Sequence, residues 1–457
     1  MAQAFFGGVH PHDMKAATNE KAIEQLAPPA VVVIPMSMHF GAPCTPLVKA
    51  GDHVKVGQKI GEFHGLGAPI HASVSGTVKA VEPRPYSMGG NITSVVIEND
   101  MQDEVSEEVQ APADPNALSV EEMVEIVKNA GIVGMGGATF PTHVKITSGI
   151  GKVNTVIING AECEPYITGD HRTMLERPEE IIGGAKFLAK MFGVDKVVIG
   201  VEDNKRNGID AMNKVIAEQK APVVVEPLRC RYPQGGEKQL CQAITGKQVP
   251  PGGLPSNIGC AVFNINTTCA IYRAITQGMP VVNKIVTVSG SGVVEPKNLE
   301  CPIGTPVSSL LDACGGLKDG TYKLIAGGPM MGMAQYTADI SVAKGTGAIL
   351  AFCENEEKTV ENPQCIRCGK CVSVCPMHLE PLFMYQYASK GMVEELNDAH
   401  IMDCMECGAC SYICPARMHL THMFKTGKQL VKDKAAADRA AAEAKKKAEE
   451  AKEAAAK

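Results

Sequence analysis

The sequence predicts a multidomain α+β protein, and three observations predict it. Residues 30–98 break into many short strands at glycine turns, whereas residues 119–283 alternate apolar strands with helical stretches. Residues 365–415 then carry eight cysteines in two matching runs. A chain of 457 residues has room for roughly three or more domains. Its net charge of −6 argues against a nucleic-acid binder held by bulk electrostatics. The 17 cysteines are odd in number, and Met1–Gly7 has neither a charged n-region nor an apolar h-region. Cysteines of that kind point to a reducing compartment and metal ligation rather than disulfides. No apolar run approaches the ~18–20 residues that span a bilayer, so any membrane role is expected to come through partners.

In chain order, Val31–Ile34 is an apolar run, Gly51-Asp52 marks a turn, and Lys55–Gly61 follows. His71–Val78 then alternates around Gly76. The pattern V-K-A-G-D-x-V-x-x-G-Q-x-I-G followed by A-S-V-S-G-T-V resembles the barrel-sandwich hybrid of biotinyl and lipoyl carriers. No lysine stands at His71–Gly76 to be modified, so a structural module is expected. Residues 101–117 are acidic and rich in Pro and Ala, as a linker is. Ser119-Val120-Glu121-Glu122 offers an N-cap with acid in the first turn of a helix to about Asn129. Strands at Thr155–Ile158, Lys196–Val201 and Val223–Pro227 alternate with helices at Pro178–Met191 and Asp210–Gln219, which predicts an α/β domain with a largely parallel sheet. Residues 284–350 return to short strands. Residues 434–457 are almost entirely Ala, Lys and Glu, a solvated helix with pairs such as Glu443–Lys447 but no apolar stripe.

Cys365, Cys368, Cys371 and Cys375 form C-x2-C-x2-C-x3-C-P, and Cys404, Cys407, Cys410 and Cys414 repeat it 39 residues later. Zinc knots need only pairs of C-x2-C and leave the third cysteine and the C-P endings (Pro376, Pro415) unexplained. The double run is the two-cluster iron–sulfur signature, in which the fourth cysteine of each run ligates the other cluster. Four soft thiolates suit a [4Fe–4S] core that cycles by one electron.

The glycine-rich stretch Gly131–Thr142 is the second informative feature, because clustered glycines let main-chain N–H groups form a concave anion nest. It completes neither a P-loop nor G-x-G-x-x-G. Downstream, Ile157–Tyr166 is an apolar strand ending in an amide and two acids, Asn159, Glu162 and Glu164. Such a strand end is where α/β folds bind ligands.

G-x-G-G-A-x-F-P-T-x-x-K (Gly134 to Lys145) and N-x-x-E-x-E-P (Asn159 to Pro165) resemble the flavin- and NADH-binding subunit of respiratory complex I. Closer still is the C subunit of the Rnf complex, the membrane-bound ferredoxin:NAD+ oxidoreductase. Gly7–Pro11, Ile34–Pro43 and Val48–Asp52 are similar to that subunit's first domain, and Val286–Gly290 with Gly304–Pro306 and Gly315-Gly316 to its soluble-ligand-binding β-grasp (SLBB) module. The resemblance implies five parts. These are a barrel-sandwich hybrid at 1–105, a complex I-type α/β FMN/NADH domain at 115–283, and a β-grasp domain at 284–350. A helical double [4Fe–4S] ferredoxin domain at 354–425 and a helical tail at 430–457 follow. It further implies that Gly134, Gly136 and Gly137 cradle FMN phosphate, with Lys145 a cation near the flavin. Asn159, Glu162 and Glu164 match residues lining the flavin and nicotinamide, and Phe140 an aromatic near the dinucleotide. Glu202, Asp203, Gly236, Glu237, Asn264 and Thr267 match further flavin-pocket positions. Against the complex I pattern, Met135 replaces an arginine, Ala161 an acid and Thr139 a glycine.

Hydride donors deliver two electrons and an iron–sulfur cluster accepts one; a flavin joins the two. The expected function is that of a peripheral Rnf subunit passing electrons between NAD(H), FMN and two clusters, with no essential protein acid or base. Its expected place is the cytoplasmic side of the cell (inner) membrane. Its expected partners are the other subunits of a membrane electron-transport complex, with ferredoxin reached through one of them. The alternatives are a soluble cobalamin reductase of a bacterial microcompartment and an electron-wiring subunit that binds no dinucleotide. The other nine cysteines show no metal spacing and read as small core residues, with Cys163 inside the proposed pocket.

Overall fold

The computed structural model describes residues 4–354 and 360–455, with side chains to 447 in the last helix. The chain forms two compact units: Pro11–Glu357, and Phe5–His10 together with Lys358–Lys457.

The first unit opens with β1 (Glu24–Gln25), then builds two small antiparallel sheets. Strands β2 (Val31–Pro35), β4 (His53–Val54), β7 (Gly76–Pro85) and β8 (Asn91–Asn99) join in the order β2-β8-β7-β4. Strands β3 (Thr45–Pro46), β5 (Lys59–Glu62) and β6 (Ile70–His71) form the other sheet. Val32, Ile34, Val54, Ile60, Ile70, Val78, Val95 and Ile97 point inward and are buried. Gly76, expected in a turn, instead starts β7, and the chain bends at 73–74. The stretch expected as a linker is partly tied down, since Val56 and Ser106 exchange backbone bonds with Glu104 and Val56 and Val105 bridges Val56.

Helix α1 (Val120–Asn129) begins at Ser119 with a complete capping box: the Ser119 side chain accepts from Glu122 N, and the Glu122 carboxylate accepts from Ser119 N. After α2 (Thr142–Gly149) come β9 (Thr155–Gly160), α3 (Gly169–Glu176), α4 (Pro178–Phe192), β10 (Val197–Glu202), α5 (Arg206–Gln219), β11 (Val223–Leu228), α6 (Glu237–Thr245), β12 (Cys260–Asn264) and α7 (Ile265–Gln277). The four strands are all parallel, in the order β11-β10-β9-β12. Val156, Ile157 and Ile158 of the central β9 are all buried, as a strand covered on both faces requires. Register aligns Asn159 with Gly200 on one side and Asn264 on the other, so the polar ends of three strands share one sheet edge.

A six-stranded sheet follows, ordered β1-β14-β13-β17-β15-β16, from β13 (Asn283–Ser289), β14 (Lys297–Pro302), β15 (Thr321–Ala326), β16 (Met333–Gln335) and β17 (Ala348–Cys353), with α8 (Val307–Ala313) packed on it. The edge strand β1 comes from far upstream, a pairing that local sequence does not announce.

In the second unit, α9 (Lys370–Ser373), α10 (Pro381–Lys390), α11 (Val393–Asp398), α12 (Ala409–Ile413) and α13 (Leu420–Ala455) surround a core of Met384, Leu396, Ile401, Leu420 and Phe424. The tail is not a separate element. Helix α13 runs unbroken through 425–430, and its first turns bury Leu420, Phe424 and Val431 while the Ala/Lys-rich part up to Lys447 is exposed. The cysteine repeat is also a backbone repeat. Arg367 and Glu406 have φ of 55° and 57°, Gly369 and Gly408 have 73° and 76°, and His378 and Arg417 both have 56°.

Phe5–His10 lies along the first cysteine run. Gly8 N–H donates to Val374 O at 2.8 Å, and the Phe6 ring stacks on His378 with centroids 4.5 Å apart. Gly7 has φ +74°, and a Cβ there would sit 2.7 Å from Val374 O. Gly7→Ala therefore costs about 1–2 kcal/mol from left-handed backbone alone, before the clash. It should release this strand of chain, read as faster amide exchange at residues 5–10 than in the wild type; equal exchange would contradict the packing argument.

Candidate functional site

Residues 133–141 form a closed loop: Val133 bridges Pro141, and Gly134 N–H donates to Phe140 O at 3.0 Å. Thr267, in the first turn of α7, clamps it from below, accepting from Met135 N at 2.9 Å and donating to Val133 O at 3.2 Å. Gly136 presses on Asn264, whose Nδ2 would lie 2.6 Å from a Cβ there. Gly136, Gly137 and Ala138 are exposed, so the peptide groups at the tip of the loop are open. Asn264 caps α7 through its side-chain oxygen and donates from Nδ2 to Asp170 at 2.8 Å.

The acids sort into different jobs. Glu162 caps α3, accepting from the N–H groups of Asp170 (2.6 Å) and His171 (3.2 Å). Glu202 is buried in an ion pair with Lys205 at 3.0 Å, and Asp203 is exposed, accepting from Cys230 N. Glu164 accepts from the Tyr232 hydroxyl at 3.3 Å and from Met330 N, in the loop before β16, at 3.1 Å. Burial pushes Glu162 and Glu164 each up to about 7, with Lys15 opposing the rise at Glu162. Asn159 donates to Gly235 O at 2.8 Å, which joins β9 to the loop before α6. Gly236 is the N-cap of α6, and Glu237 at its first position pairs with Lys145 at 3.0 Å. Lys145 also donates to Val262 O at 2.8 Å and lies 5.6 Å from the Phe263 ring centre.

Four buried lysines, which no sequence pattern singles out, tie these loops together through main-chain carbonyls. Lys15 donates to the carbonyls of Glu162 (3.0 Å), Glu164 (2.9 Å) and Ile167. Lys205 donates to Ala161 O at 2.7 Å, Lys284 to Met135 O at 3.0 Å, and Lys344 to Gly131 O at 2.6 Å. Burial lowers Lys15, brings Lys284 to about 8 and Lys344 to about 7. Asp170 and Asn266 were likewise missed; their side chains meet at 2.6 Å beside Asn264. Gln234 is buried, and its Nε2 has no hydrogen-bond partner among the described residues. Lys205 carried a weak signal, three residues after Glu202; Lys15 carried none.

In the second unit, Cys375, Cys404, Cys407 and Cys410 line one apolar cavity, and Cys365, Cys368, Cys371 and Cys414 line another. Each cavity takes three thiols from one run and the fourth from the other. Among the described residues no three His, Cys, Asp or Glu side chains converge on a single-ion position. The thiols stand around spaces instead, as ligands of a bulky cluster must. Backbone N–H groups of Arg367, Leu379 and Glu406 donate to the sulfurs of Cys365, Cys375 and Cys404, each at 3.4 Å. Burial pushes Cys404 and Cys407 up to about 11 and 12, so as free thiols they are protonated and metal binding must displace the protons.

Four family models match in series: the RnfC barrel sandwich hybrid domain over residues 3–102, the Nuo51 FMN-binding domain over 127–273, the SLBB domain over 285–334 and the 4Fe-4S dicluster domain over 357–415. The C subunit of the Na(+)-translocating ferredoxin:NAD(+) oxidoreductase complex of Acetobacterium woodii is 44% identical over 401 residues, 87% of this chain and 90% of that one. The chain belongs to the family of Rnf C subunits. Its counterpart in the proton-translocating complex of Clostridium ljungdahlii is 42% identical over 88% of each chain. The counterpart in the ion-translocating complex of Rhodobacter capsulatus is 41% identical over 82% of this chain and 73% of that one.

This Rnf C subunit thus has an FMN-binding domain and a 4Fe-4S dicluster domain, and the residues present fit both groups. Exposed peptide groups at Gly136–Ala138 and the unpartnered Gln234 Nε2 are donors suited to a phosphate and a polar ring edge. The eight thiols are the soft donors that iron–sulfur clusters require. Among the described residues, no helix is long and apolar enough to cross a membrane.

Glu164 gives a pH test of the site. Its carboxyl is near 4.5 when free and about 7 when folded, because burial opposes charge. Its contribution to stability is therefore fully present below pH 4.5 and lost as pH rises to about 7. Glu164→Gln keeps an acceptor for Met330 N without the charge. In flavin-free protein the variant should match the wild type at pH 4.5 and exceed it by on the order of 1–2 kcal/mol at pH 8. Thermal unfolding across that range checks this, and a constant difference at all pH values would refute it.

Proposed function

We propose that this chain is the peripheral electron-transfer subunit of an ion-translocating ferredoxin:NAD+ oxidoreductase, with NAD(H) exchanging electrons at the FMN site. One observation carries the reading: a single chain holds an open glycine cradle at the polar edge of a parallel sheet and two cavities each lined by four thiols. Bound FMN would supply the exchange between a two-electron hydride and single electrons, and bound clusters would supply one-electron capacity.

The chain's residues then bind and orient. The amides of Gly136 and Gly137 would hold the FMN phosphate, Gly134 would shape the cradle by closing the loop through its bond to Phe140 O, and Lys145, held by Glu237 and Val262 O, would place a positive charge beside it. Asn159, Gly236, Asn264 and Thr267 fix the loops around the ring. Glu164 lines the nicotinamide side, while Glu162, Glu202 and Lys205 hold the strand end from behind. Phe140 stands at the dinucleotide end. Cys365, Cys368, Cys371 and Cys414 hold one cluster, and Cys404, Cys407, Cys410 and Cys375 the other. Without a membrane-crossing helix among the described residues, the chain attaches through other subunits at the cytoplasmic face of the cell membrane. Electrons from ferredoxin then arrive through one of those subunits.

Protein purified anaerobically should contain flavin and two clusters, and NADH should bleach the flavin absorbance. Flavin that NADH leaves oxidised would make the chain a wire rather than a converter. Cys368→Ala should remove the EPR signal of one cluster and leave flavin absorbance and the second cluster. Lys145→Ala should weaken flavin binding about tenfold through loss of a charge-assisted contact while both clusters persist. Wild-type flavin affinity in that variant would refute the phosphate assignment.

A further inference from the structure

Phe40 belongs to the barrel-sandwich part of the chain, yet it sits at the rim of the glycine loop. Its N–H donates to Thr139 O at 3.0 Å, and its ring centre lies 6.0 Å from that of Phe140, tilted by 36°. Both neighbours hold it there. His39 is buried with Nε2 3.2 Å from the Cys44 sulfur. Gly41 has φ +128° and approaches Leu66 O so closely that a Cβ would lie 2.0 Å away. The ring between these anchors is nevertheless 57% exposed. An aromatic ring fixed by its backbone and left open to water is poised for a partner rather than for the core.

The position selects the partner's chemistry. Two residues before Phe140 on the loop, past the glycines assigned to the FMN phosphate, the exposed Ala138 presents an open peptide group that suits a second anion. A planar heterocycle tethered to phosphates satisfies both features. On the reading that NAD(H) reacts at the flavin, the nicotinamide is committed to the flavin ring, and adenine is the remaining base. We infer that Phe40, lent by the barrel-sandwich domain, joins Phe140 as a stacking platform for the adenine of NAD(H). This inference rests on the proposed NAD(H) activity and adds a specificity residue to it.

The test compares NADH with reduced nicotinamide mononucleotide, which carries the same reactive ring without adenylate. The assay is steady-state oxidation by the flavin- and cluster-loaded full chain with an artificial electron acceptor. Phe40→Ala should raise KM for NADH about tenfold, the effect of removing a base–aromatic stack, with kcat unchanged. KM for the mononucleotide should stay at its wild-type value, flavin content should be unaltered, and Phe40→Trp should restore NADH affinity. An unchanged KM for NADH in Phe40→Ala would overturn the inference, as expected if the ring serves a protein partner instead. An equal rise for both substrates would also overturn it, because the ring would then only shape the loop. Failure of the wild type to oxidise NADH would overturn the NAD(H) reading and this inference with it; the wild-type control separates that case from the other two.

Discussion

A main-chain carbonyl turned away from water must find a donor, and around this flavin edge the donors are lysines. Loops that wrap a cofactor cannot satisfy their own backbone as helices and strands do, and each buried oxygen left unpaired costs about 1–3 kcal/mol. Lys15, Lys205, Lys284 and Lys344 answer that demand at Glu162, Glu164, Ile167, Ala161, Met135 and Gly131. An ammonium group has three donors and a long apolar stem, so it reaches a buried carbonyl cluster that a short polar side chain cannot. The charges of Lys15, Lys205 and Lys284 are balanced by Glu162, Glu202 and Asp170, and burial raises Glu162 and Asp170. The acidic character of the strand end thus has a structural half. Glu162 and Glu202 hold the scaffold, and Glu164 is held by the Tyr232 hydroxyl and the amides of Met330 and Met331.

What was legible in the sequence divides along the range of the interaction. The cysteine repeat is local, and its spacing anticipates that each cavity is lined by three cysteines of one run and the fourth of the other. The capping box at Ser119 and the buried central strand at Val156–Ile158 are local too. The parallel sheet followed from the alternation of periods. Glycines and strand-end residues at Gly134–Gly137, Asn159 and Asn264 do meet at one edge, because β-strand register carries Asn159 and Asn264 to neighbouring positions. The lysines were not legible, since each acts on a carbonyl 44 to 213 residues away and a carbonyl carries no side-chain identity. For the same reason β1 escaped notice: two residues without a hydrophobic pattern pair with a strand near residue 300.

These long-range donors also explain why the flavin domain is embedded rather than free-standing. Lys15 arrives from the N-terminal stretch, Lys284 and Lys344 from the β-grasp part, and Met330 N–H from its loop. The Phe40 N–H comes from the barrel-sandwich part. Of the side-chain donors to the carbonyls of the glycine and acidic loops described above, Lys205 and Thr267 come from the segment between residues 115 and 283. Cut to that segment, both loops would keep their sequence but lose most of the groups that satisfy their carbonyls. Water would then compete for the same oxygens, and a cradle whose amides must all face one way would no longer be held in shape. The order of domains along the chain is therefore part of the site's construction: each flanking module contributes at least one donor that fixes where the glycine and acidic loops stand.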